Sequence, residues 1–474
     1  MNPEAPRPPR AYRMLQRFLR FATTVFFRRI EIVGSEHIPA QGPVIFCGNH
    51  PNSLLDPALI VAWCGRVVSF AAKDVLFRSK VLRVLLKAAG AVPIKRARDH
   101  DGAAPKDEGP AKQVDNADAF AQLFAVLARG GSMGIFPEGI SHDESQLVKL
   151  KTGAARIAFG AASAHPEVAF ALVPCGLHYV HRRRFRSSVL MQFGPPLIID
   201  AAWRARFAAD EREAVRALTA DIEAGMRALT VNAEDWDTLW VLDGVRRIYQ
   251  PARISLPQRV ELARRFNAVY PQVKDDPEVV GLLARVRDYQ DRLSDLGLKD
   301  ADLVRPLGVD GVVGRVLKHM ALMVLWVPLA IVGAPLHLPI ALVLRYSSLR
   351  FAPRKDVVAT TKFLVGFMLL GLVYVALAAT AGAFFGGLWG LLALVGLPLS
   401  GYATLRVMER GVALTRVFAT LGRLLGLRRE IQALKEERKA LENKVLATVD
   451  RLMPKDMARL FPERSAADWD EAAP

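Results

Sequence analysis

The chain has 474 residues, of which 51% are hydrophobic and 23% are charged. This composition excludes disordered and collagen-like proteins, and the length predicts two or three structural units rather than one small module. Lysine and arginine number 64 against 47 acidic residues, a net charge of +17, which favours an anionic partner: a membrane surface, a phosphorylated substrate or a nucleic acid. The cysteines Cys47, Cys64 and Cys175 form no close pair in sequence, which argues against a disulfide framework or a cysteine-rich zinc site and fits a reducing compartment.

Residues 1–35 are predicted to form a basic amphipathic helix that lies in a membrane interface. Between Arg10 and Arg29, apolar side chains alternate with arginines, and no uninterrupted apolar run follows the arginines as it does in a secretory signal. The alternative is a helix that packs on its own domain.

Residues 36–205 are predicted to form an α/β layered domain, because short apolar segments typical of strands alternate with longer segments typical of helices. The predicted strands are 44–49, 67–72, 132–137, 169–177 and 189–194. The polar stretch 96–116 is predicted to be an exposed loop that acts as a lid.

Two regions of different composition follow this domain. Residues 206–318 are charged, have a helical pattern and carry no catalytic motif, which predicts a soluble helical extension. Residues 319–406 are predicted to be a membrane region, because His337 is the single residue of 320–344 able to carry charge and 363–405 contains none. Glycines divide the second apolar stretch into a predicted hairpin, 363–381 and 388–405, whose arms are each about long enough to cross the roughly 30 Å hydrocarbon core.

The segment 320–344 allows two topologies. Its three prolines and Gly333 favour two short half-helices that enter and leave the membrane on one side, and the rival is a single span. The segment 345–362 and the region after Arg406 are rich in lysine and arginine, which favours a cytoplasmic location for both. The re-entrant arrangement keeps the α/β domain cytoplasmic as well, whereas a single span would put it on the opposite side.

Residues 407–474 are predicted to form an amphipathic or coiled-coil helix followed by a tail. Arg438 falls on the apolar seam, which favours a helix that docks on the protein or the bilayer over a coiled-coil dimer. The seam consists of Leu427, Ile431, Leu434, Leu441, Val445 and Leu452.

The segment from Asn49 to Pro57 carries the sharpest motif. His50 follows a predicted strand directly, and Asp56 comes six residues later. A carboxylate that accepts one ring N–H of a histidine leaves the other nitrogen to take a proton from a hydroxyl, which is worth about 10² to 10⁴ in rate. No serine or cysteine in a nucleophile-elbow context accompanies the pair, so direct attack by a bound alcohol is favoured over a covalent enzyme intermediate. Alone, the pair also fits a structural histidine at a helix N-terminus.

Two later motifs offer groups for a phosphorylated ligand. Lys95, Arg96 and Arg98 follow a short predicted strand, and arginine can bind two phosphate oxygens at once. In the turn that follows Phe136, Glu138 can accept substrate hydroxyls or orient Arg96, and Gly139 would let backbone approach a ligand closely. Alone, each motif also fits a solvated basic edge or a plain turn.

A fourth motif begins with Val173 and Pro174, which end a predicted strand before a strongly basic turn. The arginines of this turn are expected to face anionic lipid headgroups. They are Arg182, Arg183, Arg184 and Arg186.

The ordered set NHPNSLLDP, PIKR, FPEGISHD and VPCG resembles the four motifs of the glycerolipid acyltransferase family, which transfers acyl groups to glycerol phosphates. The resemblance covers roughly residues 36–200. The common family pattern places four residues between the histidine and the aspartate, whereas five separate His50 from Asp56. This longer form, together with FPEGISHD and LVKLKTGAARIA, is similar to the fungal glycerol-3-phosphate/dihydroxyacetone-phosphate sn-1 acyltransferases.

The resemblance implies a role for each motif. His50 would be the general base that deprotonates the acceptor hydroxyl, and Asp56 would orient and polarise it. Arg96 would hold the acceptor phosphate, helped by Lys95, Arg98 or Lys151. Glu138 and Gly139 would position the glycerol moiety. Val173 and Pro174 would line the acyl side.

The same resemblance implies substrates and a location. The acyl donor would be acyl-CoA or acyl carrier protein, with no cofactor and no metal because a thioester is already reactive, and the enzyme would be an integral membrane protein that also binds anionic lipids. An enzyme that acylates 1-acylglycerol 3-phosphate or another lysophospholipid is the first alternative. The second is a membrane scaffold with an inactive acyltransferase-like domain. Binding of nucleic acid is not expected, because the basic residues lie beside apolar segments and form no recognisable nucleic-acid motif.

Overall fold

The computed structural model describes residues 8–94, 117–165, 168–251, 254–304, 309–350, 352, 354–452 and 460–461. The chain divides into two compact units: Met1–Asn232 with Pro353–Thr360, and Ala233–Ala352 with Thr361–Pro474. Lys95, Arg96, Arg98 and the lid predicted at 96–116 lie outside the described residues.

The first unit is a sheet covered by helices, which confirms the predicted α/β layered domain. Its strands are β1 (Arg29–Val33), β2 (Val44–Gly48), β3 (Val68–Lys73), β4 (Val92–Ile94), β5 (Ser132–Ile135), β6 (Phe170–Tyr179), β7 (Ser188–Phe193) and β8 (Leu197–Ile199). Its helices are α1 (Arg10–Phe26), α2 (Leu55–Trp63), α3 (Lys80–Ala88), α4 (Ala117–Ala128), α5 (Gly153–Ala164), α6 (Ala201–Ala209) and α7 (Glu211–Arg227).

The strand order is β1-β7-β6-β2-β5-β3-β4, with β8 also paired to β6. Strand β2 is parallel to both of its neighbours, β5 and β6, whereas β6 pairs antiparallel with β7 and β8. Every residue of β2 is buried, as expected for a central parallel strand covered on both faces. Because β2, β5 and β6 run the same way, the segments that follow their carboxyl ends meet at one edge of the sheet, where ligands bind in open α/β sheets.

The first unit extends further along the chain than the sequence predicted. The boundary expected after residue 205 is wrong, because α7 belongs to the core of this unit. Val215, Leu218 and Ile222 of α7 are buried in the same apolar cluster as Phe159 of α5 and Leu172 of β6. The helical extension therefore begins after Asn232.

Helix α1 packs on its own domain, in line with the alternative to the predicted interfacial helix, and its contact with a membrane stays a prediction. Tyr12, Leu15 and Phe26 are buried. The hydroxyl of Tyr12 accepts the Val68 N–H at 2.8 Å, and Arg20 donates to the carbonyl of Ala62 at 2.6 Å. A second apolar stripe faces outward, with Met14 71% exposed, Phe18 43% and Phe21 60%. One face of α1 therefore packs on its own domain, and a second apolar face is exposed.

The second unit contains the helical extension, the apolar helices and the C-terminal helix. The extension consists of α8 (Trp236–Tyr249), α9 (Leu256–Val273), α10 (Pro277–Asp295) and α11 (Asp300–Val304). The apolar helices are α12 (Val309–Arg350), α13 (Val358–Phe385), of which the first three residues belong to the first unit, and α14 (Gly387–Gly426), followed by α15 (Arg428–Leu452).

Helix α15 docks on the extension, in line with the docking alternative for residues 407–474. Ile431, Leu434, Leu441 and Val445 of α15 are buried in one apolar cluster with residues of α8 to α11. Arg438, the charge on the seam, donates to Asp300 at 2.8 Å and to Glu442 at 2.7 Å. These two pairs explain why a charged residue is tolerated on that face.

Three of the described helices are long and apolar enough to cross a membrane, over Val316–Arg350, Lys355–Phe385 and Gly387–Arg423. The last two are the arms of the predicted hairpin, and the break between them is at Gly386, whose φ of +95° favours glycine.

The two half-helices predicted for 320–344 are wrong, because this segment lies within the single helix α12 despite Pro328, Pro335 and Pro339. Each proline removes one backbone hydrogen bond, but an unwound segment in an apolar environment would leave several backbone groups unpaired, which costs more.

Candidate active site

His50 and Asp56 form a hydrogen-bonded pair at the carboxyl end of β2. His50 Nδ1 lies 2.8 Å from Asp56 Oδ2, and Asp56 is completely buried in the first turn of α2. The extra residue of the longer motif is absorbed in the intervening loop, where Ser53 adopts a left-handed conformation with φ of +50°. The longer loop thus keeps the histidine and the carboxylate within hydrogen-bond reach.

Two further donors hold the Asp56 carboxylate. The hydroxyl of Tyr179 donates to Oδ1 at 2.6 Å, and the backbone N–H of Asn52 donates to Oδ2 at 2.7 Å. Burial raises the pKa of Asp56 above its usual value, against the hydrogen bonds from His50, Tyr179 and Asn52, which lower it. Burial, followed by the nearby Asp56 charge, raises the pKa of Tyr179 far above its usual value, so the phenol remains a donor at neutral pH.

The His50 ring is held by a stacking contact on its face as well as by the hydrogen bond to Asp56 at its edge. It stacks on Phe136, with ring centroids 4.0 Å apart and planes 7° apart, and its side chain is 17% exposed. Because Nδ1 donates to Asp56, the tautomer leaves Nε2 without a proton. The pair therefore presents an oriented basic nitrogen.

Glu138 ties the His50 loop to the loop after β5. Its Oε1 accepts the His50 N–H at 2.8 Å, and its Oε2 accepts the Val148 N–H at 3.1 Å and a short hydrogen bond from His142 Nε2. Glu138 is 2% exposed. In this structure its carboxylate holds protein groups, and its direct contact with the glycerol moiety stays a prediction.

Gly139 brings the Lys151 side chain to the same loop. Gly139 has φ of +75°, and a Cβ at this position would lie 2.8 Å from Lys151 Cδ and 2.9 Å from Nζ. The Lys151 N–H also donates to the carbonyl of Pro137 at 2.8 Å. The charged side chain of Lys151 therefore packs directly against Gly139.

Val173 and Pro174 are core residues of β6 in this structure. Val173 is fully buried and pairs with Phe46 of β2, and Pro174 packs against Gly225 of α7. Pro174 lies where the antiparallel partner of β6 changes from β8 to β7, so its missing N–H removes no ladder bond. Their role on the acyl side stays a prediction.

The arginines after β6 do not all face outward, which corrects one expectation. Arg182 lies 3.4 Å from Asp143 and 3.1 Å from the carbonyl of Glu144, and burial lowers its pKa, against the raising effect of Asp143. Arg186 donates to the carbonyls of Thr24 and Val25 at the end of α1 and to that of Phe27, which follows it. Arg183 and Arg184 are exposed.

The sequence reasoning missed five contributors to the site. Of these, Tyr179 is the easiest to predict from sequence, because it ends β6 and the end of β6 lies beside the end of β2 in a parallel pair. The others are Asn52, Phe136, His142 and Arg182, whose roles depend on contacts across loops. Among the described residues, no group of three or more His, Cys, Asp or Glu side chains is arranged to hold a metal ion.

All four motifs lie within a segment of the chain that matches a family model. A profile described as Acyltransferase matches residues 29–178, and one described as Glycerol-3-phosphate acyltransferase 2 C-terminal domain matches residues 241–457. The first match contains His50, Asp56, Glu138 and Lys151. The second contains the three apolar helices and most of the extension.

Individual relatives agree with these matches. Glycerol-3-phosphate O-acyltransferase 2 of Saccharomyces cerevisiae is 27% identical over 74% of this chain and 62% of its own length, and glycerol-3-phosphate O-acyltransferase 1 of that yeast is 27% identical over 74% and 58%. An uncharacterized acyltransferase of Schizosaccharomyces pombe is 26% identical over 92% of this chain and 80% of its own length. The chain therefore spans about three fifths of the two budding-yeast proteins. The chain is therefore similar to the glycerolipid acyltransferase family, and within that family it resembles the fungal glycerol-3-phosphate acyltransferases.

Proposed function

We propose that the protein is a membrane-bound O-acyltransferase that moves a fatty acyl group from acyl-CoA or acyl carrier protein to the sn-1 hydroxyl of glycerol 3-phosphate or dihydroxyacetone phosphate. The observation that carries the proposal is the His50–Asp56 pair, 2.8 Å apart at the carboxyl end of β2, with Nε2 left basic. The similarity to the yeast glycerol-3-phosphate O-acyltransferases supports the choice of acceptor.

The reaction proceeds by direct attack of the acceptor. His50 Nε2 takes the proton of the acceptor hydroxyl while its oxygen attacks the thioester carbonyl, and the tetrahedral intermediate collapses with loss of the thiolate. The thiolate takes the proton from His50, so the ester and the free thiol are the products. Asp56 holds Nδ1 and stabilises the imidazolium that forms between the two steps.

The chain's own thiols do not fit the alternative of an acyl-enzyme. Cys47, Cys64 and Cys175 are buried. Burial raises the pKa of Cys47 to about 12 and that of Cys64 to about 11, and it raises the pKa of Cys175 well above its usual value. A thiol held in its protonated form is a poor nucleophile. Direct transfer to the bound alcohol is therefore favoured.

We expect basic side chains to bind the acceptor phosphate. Lys151, whose side chain lies over Gly139, is one candidate for this role, and its position is given by the structure. Arg96, with Lys95 and Arg98, is proposed for the same role from the family motif. Such a set would favour glycerol phosphates over uncharged glycerolipids, because each charged contact with phosphate is stronger than a neutral hydrogen bond.

The membrane arrangement suits amphiphilic substrates and products. We propose that the catalytic unit lies on the cytoplasmic side and that the exposed stripe of α1 contacts anionic lipid. Met14, Phe18 and Phe21 would enter the interface while the neighbouring Arg13 and Arg17, also exposed, contact headgroups.

A thiol-release assay on the detergent-purified protein tests this function. Palmitoyl-CoA is supplied with glycerol 3-phosphate, dihydroxyacetone phosphate or 1-acylglycerol 3-phosphate, and His50→Ala is measured alongside. We expect release that requires one of the first two acceptors and that falls at least 10²-fold in the variant. Release with the 1-acylated acceptor alone would instead assign the second acylation step. Release that is unchanged in His50→Ala would contradict the proposed base.

A further inference from the structure

The start of α13 contacts the catalytic loop. The first unit includes residues 354–360, which follow α12 in the chain and run into the first turn of α13. Asp356, Val358, Ala359 and Thr360 in this segment are buried. A loop between two apolar helices is normally exposed, so burial of this one indicates a specific contact.

The contact is made by the Thr360 hydroxyl, which donates to the carbonyl of Asn52 at 2.8 Å. Asn52 lies two residues after His50 and four before Asp56, and it is fully buried. Its carbonyl also accepts the Leu55 N–H at 3.2 Å, and its N–H donates to Asp56 Oδ2 at 2.7 Å. Thr360 therefore fixes the residue that holds the Asp56 carboxylate.

A second contact joins the same segment to the loop of Glu138. Arg354 donates to the Ser141 hydroxyl at 2.8 Å and is itself held by Asp356, also at 2.8 Å. The two catalytic loops contact each other as well, since the His142 N–H donates to the carbonyl of His50 at 3.2 Å. Segment 354–360 thus contacts both loops at points away from the reacting atoms.

From these contacts we propose that Thr360 is a positioning residue for the His50–Asp56 pair, so that the first turn of a membrane helix holds the longer histidine–aspartate loop in its active conformation. The proposal rests on the proposed function for its effect on rate. The loop has an extra residue and a left-handed Ser53, so its conformation depends on hydrogen bonds from outside the loop. Glu138 and the Arg182 carbonyl make two of these bonds, and Thr360 makes another from the first turn of α13.

The role of the hydroxyl can be separated from that of the side-chain shape. Thr360→Val keeps the shape and removes the donor, whereas Thr360→Ser keeps the donor and removes a methyl group. Thr380 offers a matched control on the same helix, because its hydroxyl donates to the carbonyl of Ala376 within α13. Thr380→Val therefore removes a hydroxyl that does not contact the catalytic loop.

The experiment measures thiol release and hydrogen–deuterium exchange on the full chain. We expect kcat to fall about tenfold in Thr360→Val with KM for the acyl donor unchanged, because a slightly misplaced base loses rate and not binding. We expect Thr360→Ser and Thr380→Val to stay within twofold of the unsubstituted protein. Peptides that contain residues 50–56 should exchange faster in Thr360→Val alone.

Three results would overturn the proposal: an unchanged kcat together with unchanged exchange in Thr360→Val, an equal loss in Thr360→Ser, or an equal loss in Thr380→Val. If Thr360→Val does not give a single folded species, Thr360→Ala supplies the same comparison without the branched side chain. Exchange does not require activity. Absence of thiol release from the unsubstituted protein would therefore count against the proposed function, while the exchange result still decides the role of Thr360.

Discussion

The imidazole of His50 lies face to face with the ring of Phe136, 4.0 Å between centroids, and Phe136 in turn stacks on Phe70 at 5.5 Å. This three-ring stack fixes the plane of the imidazole, while Asp56 fixes its rotation within that plane. The two constraints come from different elements, since Phe136 follows β5 and Asp56 lies in the first turn of α2.

Replacement of Phe136 by leucine should lower kcat about tenfold. The imidazole would lose the flat surface that holds its plane, and the imidazolium formed during the reaction would lose a favourable contact with an aromatic face. Thiol release at saturating substrate checks this expectation. Phe70→Leu, one ring further from His50, is the matched control and should have a smaller effect; equal losses would contradict the direct role of the stack.

Asp56→Asn should reduce activity by about 10² to 10⁴ with little loss of stability. An asparagine oxygen at the Oδ2 position can accept from both Asn52 and His50, but the side chain carries no charge to stabilise the imidazolium, and its amide N–H₂ faces the Tyr179 hydroxyl. Removal of a buried carboxylate whose pKa is raised by burial also relieves a desolvation penalty. Thiol release and thermal unfolding, measured on the same preparation, check both parts.

The raised pKa of Asp56 has a pH consequence that Asp56→Asn isolates. Between the usual aspartate pKa and the raised folded value, the folded state binds more protons than the unfolded state, so the contribution of Asp56 to stability is present at the acidic end and is lost as the pH rises. We expect the unfolding free energy of the unsubstituted protein, relative to Asp56→Asn, to decrease with rising pH in that window. Denaturant unfolding at several pH values measures it, and an increase would contradict the direction.

Glu138→Gln should destabilise the protein by about 1–3 kcal/mol and reduce activity, because an amide N–H₂ would face a backbone N–H or His142 in place of an accepting oxygen. Thermal unfolding followed by tryptophan fluorescence measures the change. Glu144→Gln is the matched control, because Glu144 lies on the same loop and is exposed. Equal midpoints for the two variants would show that the Glu138 carboxylate does not hold the loops together.

The three thiols should resist alkylation in the folded protein. Burial holds the pKa of Cys47 at about 12 and that of Cys64 at about 11, so the reactive thiolate fraction rises tenfold per pH unit but stays small at pH 8. Mass spectrometry after N-ethylmaleimide treatment should find no label on native protein and full label after denaturation. Rapid native labelling would contradict the burial, and it would also add background to the thiol-release assay.

The exposed face of α1 should contact lipid. Because the native thiols are buried, a cysteine at position 14 can be labelled selectively with an environment-sensitive dye. Dye on Met14→Cys in nanodiscs with anionic lipid should emit at shorter wavelength and be quenched by spin-labelled lipid. Glu36→Cys, at another exposed site, is the control. Equal emission and quenching at the two positions would contradict a lipid contact at Met14.

Local sequence predicted the parts of the site that depend on strand ends. His50 and Asp56 were predicted because a histidine after a buried strand and a carboxylate in the next helical turn are brought together by local geometry alone. Tyr179 and Thr360 were not, because they reach the site from 123 and 308 residues away. No periodicity or turn pattern encodes such contacts.

The errors at the level of the fold have the same origin. The domain boundary predicted after residue 205 is wrong because α7, although rich in charged residues, has an apolar face that packs on β6. The tertiary contacts reveal this face, and the charged composition does not. The half-helices predicted for 320–344 are wrong because the three prolines cost less than the unpaired backbone that a break would leave in an apolar environment. Composition predicted where these segments lie in the chain, whereas their boundaries and helical structure depend on tertiary packing and on backbone hydrogen bonding.

The shared core of α15 and the extension limits how many times the chain crosses the bilayer. One apolar core cannot be divided by a membrane, so Asp300 and Arg438, which bind each other within it, lie in the same aqueous compartment. The number of crossings between them must be even, although three helices of the described chain are long and apolar enough to cross. Residues 354–360 belong to the same folded unit as residues 8–232, and the described chain between that unit and α12 contains no candidate span. We therefore expect both ends of α12 to open to one compartment.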